Sequence, residues 1–277
     1  MTSYRKARLI LEDGTAFTGS SFGFEQSVSG EVVFNTAMTG YPESLTDPSY
    51  AGQLLVATYP LIGNYGVPDD TVVDGLPGNF ESDRVQVTAL IVSEYSEQYS
   101  HWNAKLSLGD WLKQHKVPGL FGIDTRALTK IIREKGSIMG KIVFDNDDPG
   151  FRDPNLENLV AGVSTDKIIT YGNGETRILL VDCGVKYNII RHFVSSGNTV
   201  IRVPWDYDYS KEQYDGLFIS NGPGDPKQCG TTIGHLSHSL NQDIPIFGIC
   251  LGNQLLALAS VADTFKLKYG HRSHNQP

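Results

Sequence analysis

From Arg177 to Ala262 the sequence alternates between short apolar runs and helical patterns. This alternation is the tightest constraint on what the chain can fold into. "RILLVD", "NTVIRV", "DGLFIS" and "IPIFGI" have no polar face. Between them come "KYNIIRHFVSSG", "TTIGHLSHSLNQ" and "LGNQLLALASVA". In the first of these, Ile189, Ile190, Phe193 and Val194 share one helical face and Gly197 is a stop signal. Strands that are apolar on both faces need cover on both faces. The pattern therefore predicts a parallel sheet between two helix layers. Ligands of such sheets sit at the carboxyl ends of the strands. Two of those ends carry unusual loops, "SNGPGDP" from Ser220 to Pro226 and "GICLG" from Gly248 to Gly252.

A cysteine fenced by two glycines at a strand-to-helix corner has a mechanical reading. A strained backbone pushes the side chain out above the sheet, and the small neighbours permit the tight approach. The following helix aims its free N–H groups at the same spot. That is expected to lower the thiol pKa and to place the Leu251 N–H where an oxyanion would form. An isolated cysteine is more often a small core residue, and Cys183 and Cys229 read that way because neither has this frame. The "SNGPGDP" loop offers a rigid backbone that a ligand can approach closely, as a second oxyanion donor or as a cradle for an α-amino acid. Lys227 stands where a Gly-x-Gly-x-x-Gly motif would need its third glycine, and no Gly-x-x-x-x-Gly-Lys-Ser/Thr loop occurs. Neither common nucleotide motif is present.

The first half has a different rhythm. "ARLILEDGTAF" reads as a hairpin turning at Asp13-Gly14. "GEVVFNT", "GQLLVATYP" and "VQVTALIV" read as further strands. "LSLGDWLKQHK" reads as a helix, as does "DTRALTKIIREKG", with Asp124 as N-cap and Gly136 as stop. Clustered Asp, Asn, Pro and Gly then suggest a linker. The expected organisation is an α+β domain over 1–150, a linker over 151–175 and the α/β domain over 176–277. A length of 277 residues fits two domains. Hydrophobic residues make up 40% and charged residues 19%, enough apolar content for packed cores. The net charge of −8, without a basic run, points away from nucleic acid. Three cysteines without paired spacing point to neither a disulfide framework nor a metal site. No apolar run is long enough for a membrane span, so a cytoplasmic protein is expected.

"FGICLGNQLLALA" with "LFISNGPGDP" resembles the class I, triad-type glutamine amidotransferases. "GEVVFNTAMTGYPESLTDPSYAGQLLVATYPLIGNYG", "GIDTRALTKIIREKGSIMG" and "LVDCGVKYNIIRHF" narrow this to the small, glutamine-hydrolysing subunit or domain of carbamoyl phosphate synthetase. The resemblance runs from about Ala7 to Pro277. "SHWNAKLSLGDWLKQHKVPGL" and "VPWDYDYSKEQYDGLFISNGPGDP" look most like the eukaryotic multifunctional pyrimidine-pathway proteins. The fold implied is a small-subunit α+β domain followed by an incomplete doubly wound, flavodoxin-like parallel sheet. The activity implied is glutamine hydrolysis through a cysteine thioester. Ammonia then passes by a tunnel to a synthetase partner, which uses ATP and Mg and feeds pyrimidine or arginine synthesis. No cofactor or metal is implied in this chain. The resemblance makes Cys250 the nucleophile and the Gly222 and Leu251 N–H groups the oxyanion donors. It makes Ser49, Gly222, Gly224, Leu251 and Gln254 the glutamine contacts, with Ser49 reaching in from the first domain. In the ammonia-dependent relative the nucleophile position is not cysteine, so Cys250 implies glutamine dependence.

The sequence departs from that family at one point. The family completes its triad with a His-x-Glu pair well after the cysteine. Here 27 residues follow Cys250, and none of the seven histidines (His101, His115, His192, His235, His238, His271, His274) precedes Glu at that spacing. The expectation is a C-terminally truncated form with little or no turnover by itself, because the leaving ammonia needs a proton and the thioester an activated water. An unfinished second sheet with an open edge is also expected. A non-catalytic scaffold for the synthetase is one alternative. Another is a different class I amidotransferase, which the "MTGYPE…TDPSY" region argues against.

Overall fold

A computed structural model describes residues 4–268 and shows two domains. The first is built on a closed seven-stranded barrel. Its strands are β1 (Lys6–Leu11), β2 (Ala16–Ser21), β3 (Val28–Asn35), β4 (Gln53–Ala57), β5 (Ala89–Ile91), β6 (Gly119–Phe121) and β7 (Ile138–Val143). They close in the order β1-β7-β3-β4-β5-β6-β2. The predicted hairpin is β1 and β2, antiparallel, with Gly14 at a positive φ of 88° in the turn. Adjacent residues of β4 enter different cores. Leu54 and Val56 pack inside with Leu9, Leu11, Val32 and Ile91. Leu55 and Ala57 pack outside with Leu90, Trp111 and Leu112. The barrel strands are thus apolar on both faces because both faces are covered.

Three helices complete this domain. A short α1 (Tyr41–Thr46) leaves the end of β3 and runs straight into a 3-10 turn at Pro48–Tyr50. Ser107 caps α2 (Leu108–Gln114), its Oγ accepting from Asp110 N. Asp124 caps α3 (Thr125–Lys135) and Gly136, at φ 86°, ends it, as the sequence predicts. Leu128 and Ile132 of α3 close one end of the barrel core.

The stretch expected as a linker carries its own structure. A 3-10 turn at Pro154–Leu156 leads to α4 (Leu159–Val163). Pro154 and Leu159 lie against Gly52 of the first domain, and Val163 lies against Gly184 of the second. The segment ends in β8 (Ile169–Tyr171), which pairs antiparallel with the second sheet. No sequence period marks so short an edge strand.

The second sheet has the order β8-β10-β9-β11-β12, with β9 (Arg177–Asp182), β10 (Thr199–Pro204), β11 (Gly216–Ile219) and β12 (Ile246–Gly248). All pairings except that of β8 are parallel. Helices α5 (Tyr187–Ser195), α6 (Gly230–Ser239) and α7 (Leu251–Ala259) follow β9, β11 and β12, at the predicted places, while β10 leads to β11 without a helix. Ile190 packs with Leu180, Val200 and Phe218, while Leu236 and Leu255 pack with Leu179, Val181 and Ile219. Helices therefore cover both faces. Among the described residues no strand pairs with the far side of β12, and Phe247 there is 63% exposed.

Candidate active site

The corner between β12 and α7 is held by its glycines. A Cβ at Gly248 would come within 2.5 Å of the Gly252 carbonyl carbon. A Cβ at Gly252 would lie 2.2 Å from the Ile219 carbonyl oxygen. Backbone therefore packs on backbone, and only glycine fits at either position. Between them Cys250 has φ 53° and ψ −111°, a strained conformation for a residue with a Cβ. It is exposed, whereas Cys183 and Cys229 are buried. The Leu251 N–H is directed at the Cys250 thiol.

The "SNGPGDP" loop lies beside this corner. A Cβ at Gly222 would come 2.0 Å from the Cys183 carbonyl oxygen and 2.8 Å from the Leu251 side chain. The structure thus brings Gly222 and Leu251 together. Asn221, 3% exposed, joins three segments. Its Nδ2 donates to Ser49 Oγ at 3.1 Å and to the Gly184 carbonyl at 2.9 Å, and its Oδ1 accepts from Lys186 N at 3.1 Å. Ser49 of the first domain is in this way fixed next to the Gly222 loop. Gly224, at φ 80°, is exposed at the loop tip above Leu159. Gln254 is exposed one turn along α7, its N–H donating to the Cys250 carbonyl. His271 and His274 lie outside the described residues. Among those described, no histidine or carboxylate hydrogen-bonds the Cys250 thiol.

Sequence reasoning missed a charged pair at the domain interface. Asp47 ends α1, and its Oδ1 accepts from Ser49 N at 2.9 Å, which shapes the turn that presents Ser49. Its Oδ2 pairs with Lys186 Nζ at 2.7 Å across the interface. Beneath Lys186, the fully buried Asp182 orders the 183–186 loop. Its Oδ1 accepts from Gly184 N and Val185 N, and its Oδ2 pairs with Arg202 at 2.6 Å. "TDPSY" and "CGVKYN" each contain half of the Asp47–Lys186 contact, so only the fold could reveal it.

The electrostatics correct one expectation. The Cys250 thiol lies above its ordinary pKa, not below it. Although the residue as a whole is exposed, its thiol lies close against surrounding protein: that desolvation pushes it up, the Leu251 N–H pulls it part of the way back, Asp47 raises it and Lys186 lowers it. The helix start acts in the expected direction, but desolvation is larger. Burial alone would lower the Lys186 ammonium; the Asp47 carboxylate reverses this and holds it above its usual value. Cys183 is raised well above the thiol range by burial, and burial pushes Cys229 up to about 11.

The structure thus sets an exposed cysteine with a strained backbone at the start of α7, with the Leu251 N–H at its thiol and the Gly222 loop packed on Leu251. Residues 9–142 match the family of the carbamoyl-phosphate synthase small chain, CPSase domain, and residues 179–277 match class I glutamine amidotransferase. The chain belongs to the carbamoyl-phosphate synthase small-chain family and carries a class I glutamine amidotransferase domain. It is 47% identical to the multifunctional protein ura1 of Schizosaccharomyces pombe, over 100% of this chain and 14% of that protein. It is 51% identical to the multifunctional protein CAD of Squalus acanthias, over 98% and 12%. It is 48% identical to the mitochondrial carbamoyl-phosphate synthase [ammonia] of Homo sapiens, over 98% and 18%. The chain therefore spans less than a fifth of the length of these relatives. Among the described residues no helix is long and apolar enough to cross a membrane.

Proposed function

We propose that the chain is the glutamine-hydrolysing, ammonia-supplying part of a carbamoyl phosphate synthetase. The observation that carries this reading is the strained, exposed Cys250 at the start of α7, beside Leu251 against which the Gly222 loop packs. The Cys250 thiolate attacks the side-chain amide carbon of L-glutamine, and the carbonyl π-electrons move onto oxygen. The N–H groups of Gly222 and Leu251 receive that oxyanion. Collapse of the intermediate expels ammonia, which takes up one proton, and leaves a glutamyl thioester. Water then cleaves the thioester to glutamate and regenerates the thiol. Ser49, Gly224 and Gln254 hold the amino-acid end of the substrate.

Ammonia passes to a synthetase partner, which supplies the ATP and Mg chemistry; this chain contributes no cofactor. The product feeds pyrimidine or arginine synthesis, and the location is the cytoplasm. The relatives include both multifunctional proteins and an ammonia-type synthase at similar identity. Cys250 favours the glutamine-dependent branch. The leaving ammonia needs a proton donor and the thioester a base-activated water, and among the described residues no histidine or carboxylate hydrogen-bonds the thiol. The isolated chain therefore acylates at Cys250 but turns over slowly, which also keeps a scaffold role for the synthetase as the second reading. Incubation with a diazoketone analogue of glutamine tests the first reading. It should form one adduct at Cys250, with saturating kinetics and protection by glutamine. Non-saturating labelling without protection would sink it.

A further inference from the structure

Helix α5 begins without a cap of its own. Its N-cap position is Lys186, whose side chain caps nothing because it is turned to Asp47. The first-turn donors are satisfied from the other domain. Glu81 accepts from Tyr187 N through its backbone carbonyl at 2.9 Å and from Asn188 N through its Oε2 at 3.0 Å. Its Oε1 faces Arg191 Nη2 at 3.4 Å, and the Arg191 Nη1 donates to the Pro77 and Phe80 carbonyls on the same segment. Glutamate at a helix start satisfies orphan N–H groups and complements the positive helix end.

Glu81 is itself held by the residue that precedes Asp47. Its N–H donates to Thr46 Oγ1 at 2.9 Å, and the neighbouring Ser82 Oγ donates to the Thr46 carbonyl at 2.6 Å. Thr46 is 1% exposed and Ser82 4%. These contacts close a ring. Thr46 holds Glu81, Glu81 holds the first turn of α5, α5 begins at Lys186, and Lys186 Nζ returns to Asp47, the residue after Thr46. The ring crosses the domain interface twice. From its Asp47 corner starts the turn that presents Ser49 to Asn221 beside the Gly222 loop.

We propose that Glu81 is a positioning residue: by capping α5 from the first domain it fixes the Lys186–Asp47 pair and so sets Ser49 over the Cys250 corner. The proposal rests on the functional reading above for its substrate and on geometry alone for the ring. A small displacement of Ser49 weakens substrate binding more than it changes the thiol, because the corner around Cys250 is built by β12, β11 and α7 and both Lys186 and Asp47 keep their charges.

The test uses the full chain with Glu81→Ala, Glu81→Gln and Glu81→Asp. Hydrogen exchange is followed at the first turn of α5 and at the Ser49 turn. Cys250 labelling is followed with the diazoketone glutamine analogue and with iodoacetamide. In E81A both segments should exchange roughly tenfold faster, the change expected from a lost cap. The half-saturating analogue concentration should rise about fivefold, while the iodoacetamide rate stays within about twofold. E81Q should lie near wild type, since its amide oxygen still accepts from Asn188 N. Faster exchange confined to α5, with unchanged half-saturation, would make Glu81 a local cap only and overturn the proposal. If E81A does not fold, E81D carries the same comparison, because its carboxylate is withdrawn by one methylene. If wild type itself shows no saturable labelling, the glutamine reading fails, and exchange at the Ser49 turn still decides the ring.

Discussion

Cys183 and Cys250 occupy matching places in one sheet and have opposite fates. Each follows a parallel strand, β9 inside the sheet or β12 at its end, and each stands where the chain turns toward a helix. Cys183 is fully buried, its N–H donates to Ser220 Oγ, and its carbonyl supports the Gly222 loop. Cys250 is exposed, with a positive φ, and leads directly into α7. Position at a strand end therefore does not make a nucleophile. What differs is the turn. After Cys183 the chain spends three more residues, ordered by Asp182, before α5 begins. After Cys250 it spends none, and the two glycines let that abrupt turn close.

The largest effect should come from removing the turn. Gly252→Ala must push its methyl group into the Ile219 carbonyl, and Gly248→Ala must push its own into the backbone of Gly252. Each is expected to cost about 2–4 kcal/mol and to abolish analogue labelling at Cys250. Urea titration and mass spectrometry of the adduct read both effects. An unperturbed G252A would show that the close backbone approach does not matter.

Next in size is the charge around the thiol. Thiolate is the reactive form, and the Cys250 pKa lies above the ordinary value. Its iodoacetamide rate should therefore climb through neutral pH into the alkaline range without a plateau near pH 7. Lys186→Met removes a charge that lowers the thiol pKa and leaves Asp47, which raises it. Both changes favour the protonated thiol, so the rate at neutral pH should fall by about three- to tenfold and the midpoint should move to higher pH. A midpoint moved downward would contradict this electrostatic account.

Ser49→Ala sharpens the comparison from the substrate side. It should raise the half-saturating analogue concentration by roughly fivefold, about one hydrogen bond's worth, with the iodoacetamide rate unchanged. The smallest effect on chemistry should come from Cys183→Ala. It should cost roughly 1 kcal/mol of stability through a small cavity and leave Cys250 labelling as it was.

Much of this site is legible in the sequence because it is local. Gly248, Cys250, Gly252 and the Gly222 loop each declare themselves within a few residues, and the strands and helices of the second domain follow from their periods. The closed barrel is not legible in the same way. Its closure depends on β1 meeting β7, and its strands, covered on both faces, show no alternation that would reveal a cylinder. The cradle is split likewise. Asp47, Glu81, Lys186 and Asn221 are ordinary residues in their own segments and gain meaning only when two domains bring them within hydrogen-bonding distance. The direction of the thiol pKa was also hidden, because a helix start is visible in a sequence and the burial that opposes it is not.

The most direct test is the distribution of a glutamine-like electrophile over the three thiols of the folded chain. Mass spectrometry after sub-stoichiometric labelling should find the adduct at Cys250 alone, at least about tenfold over Cys183 and Cys229, with glutamine suppressing it. Equal labelling of the three thiols, or labelling of Cys250 that glutamine leaves untouched, would contradict the account.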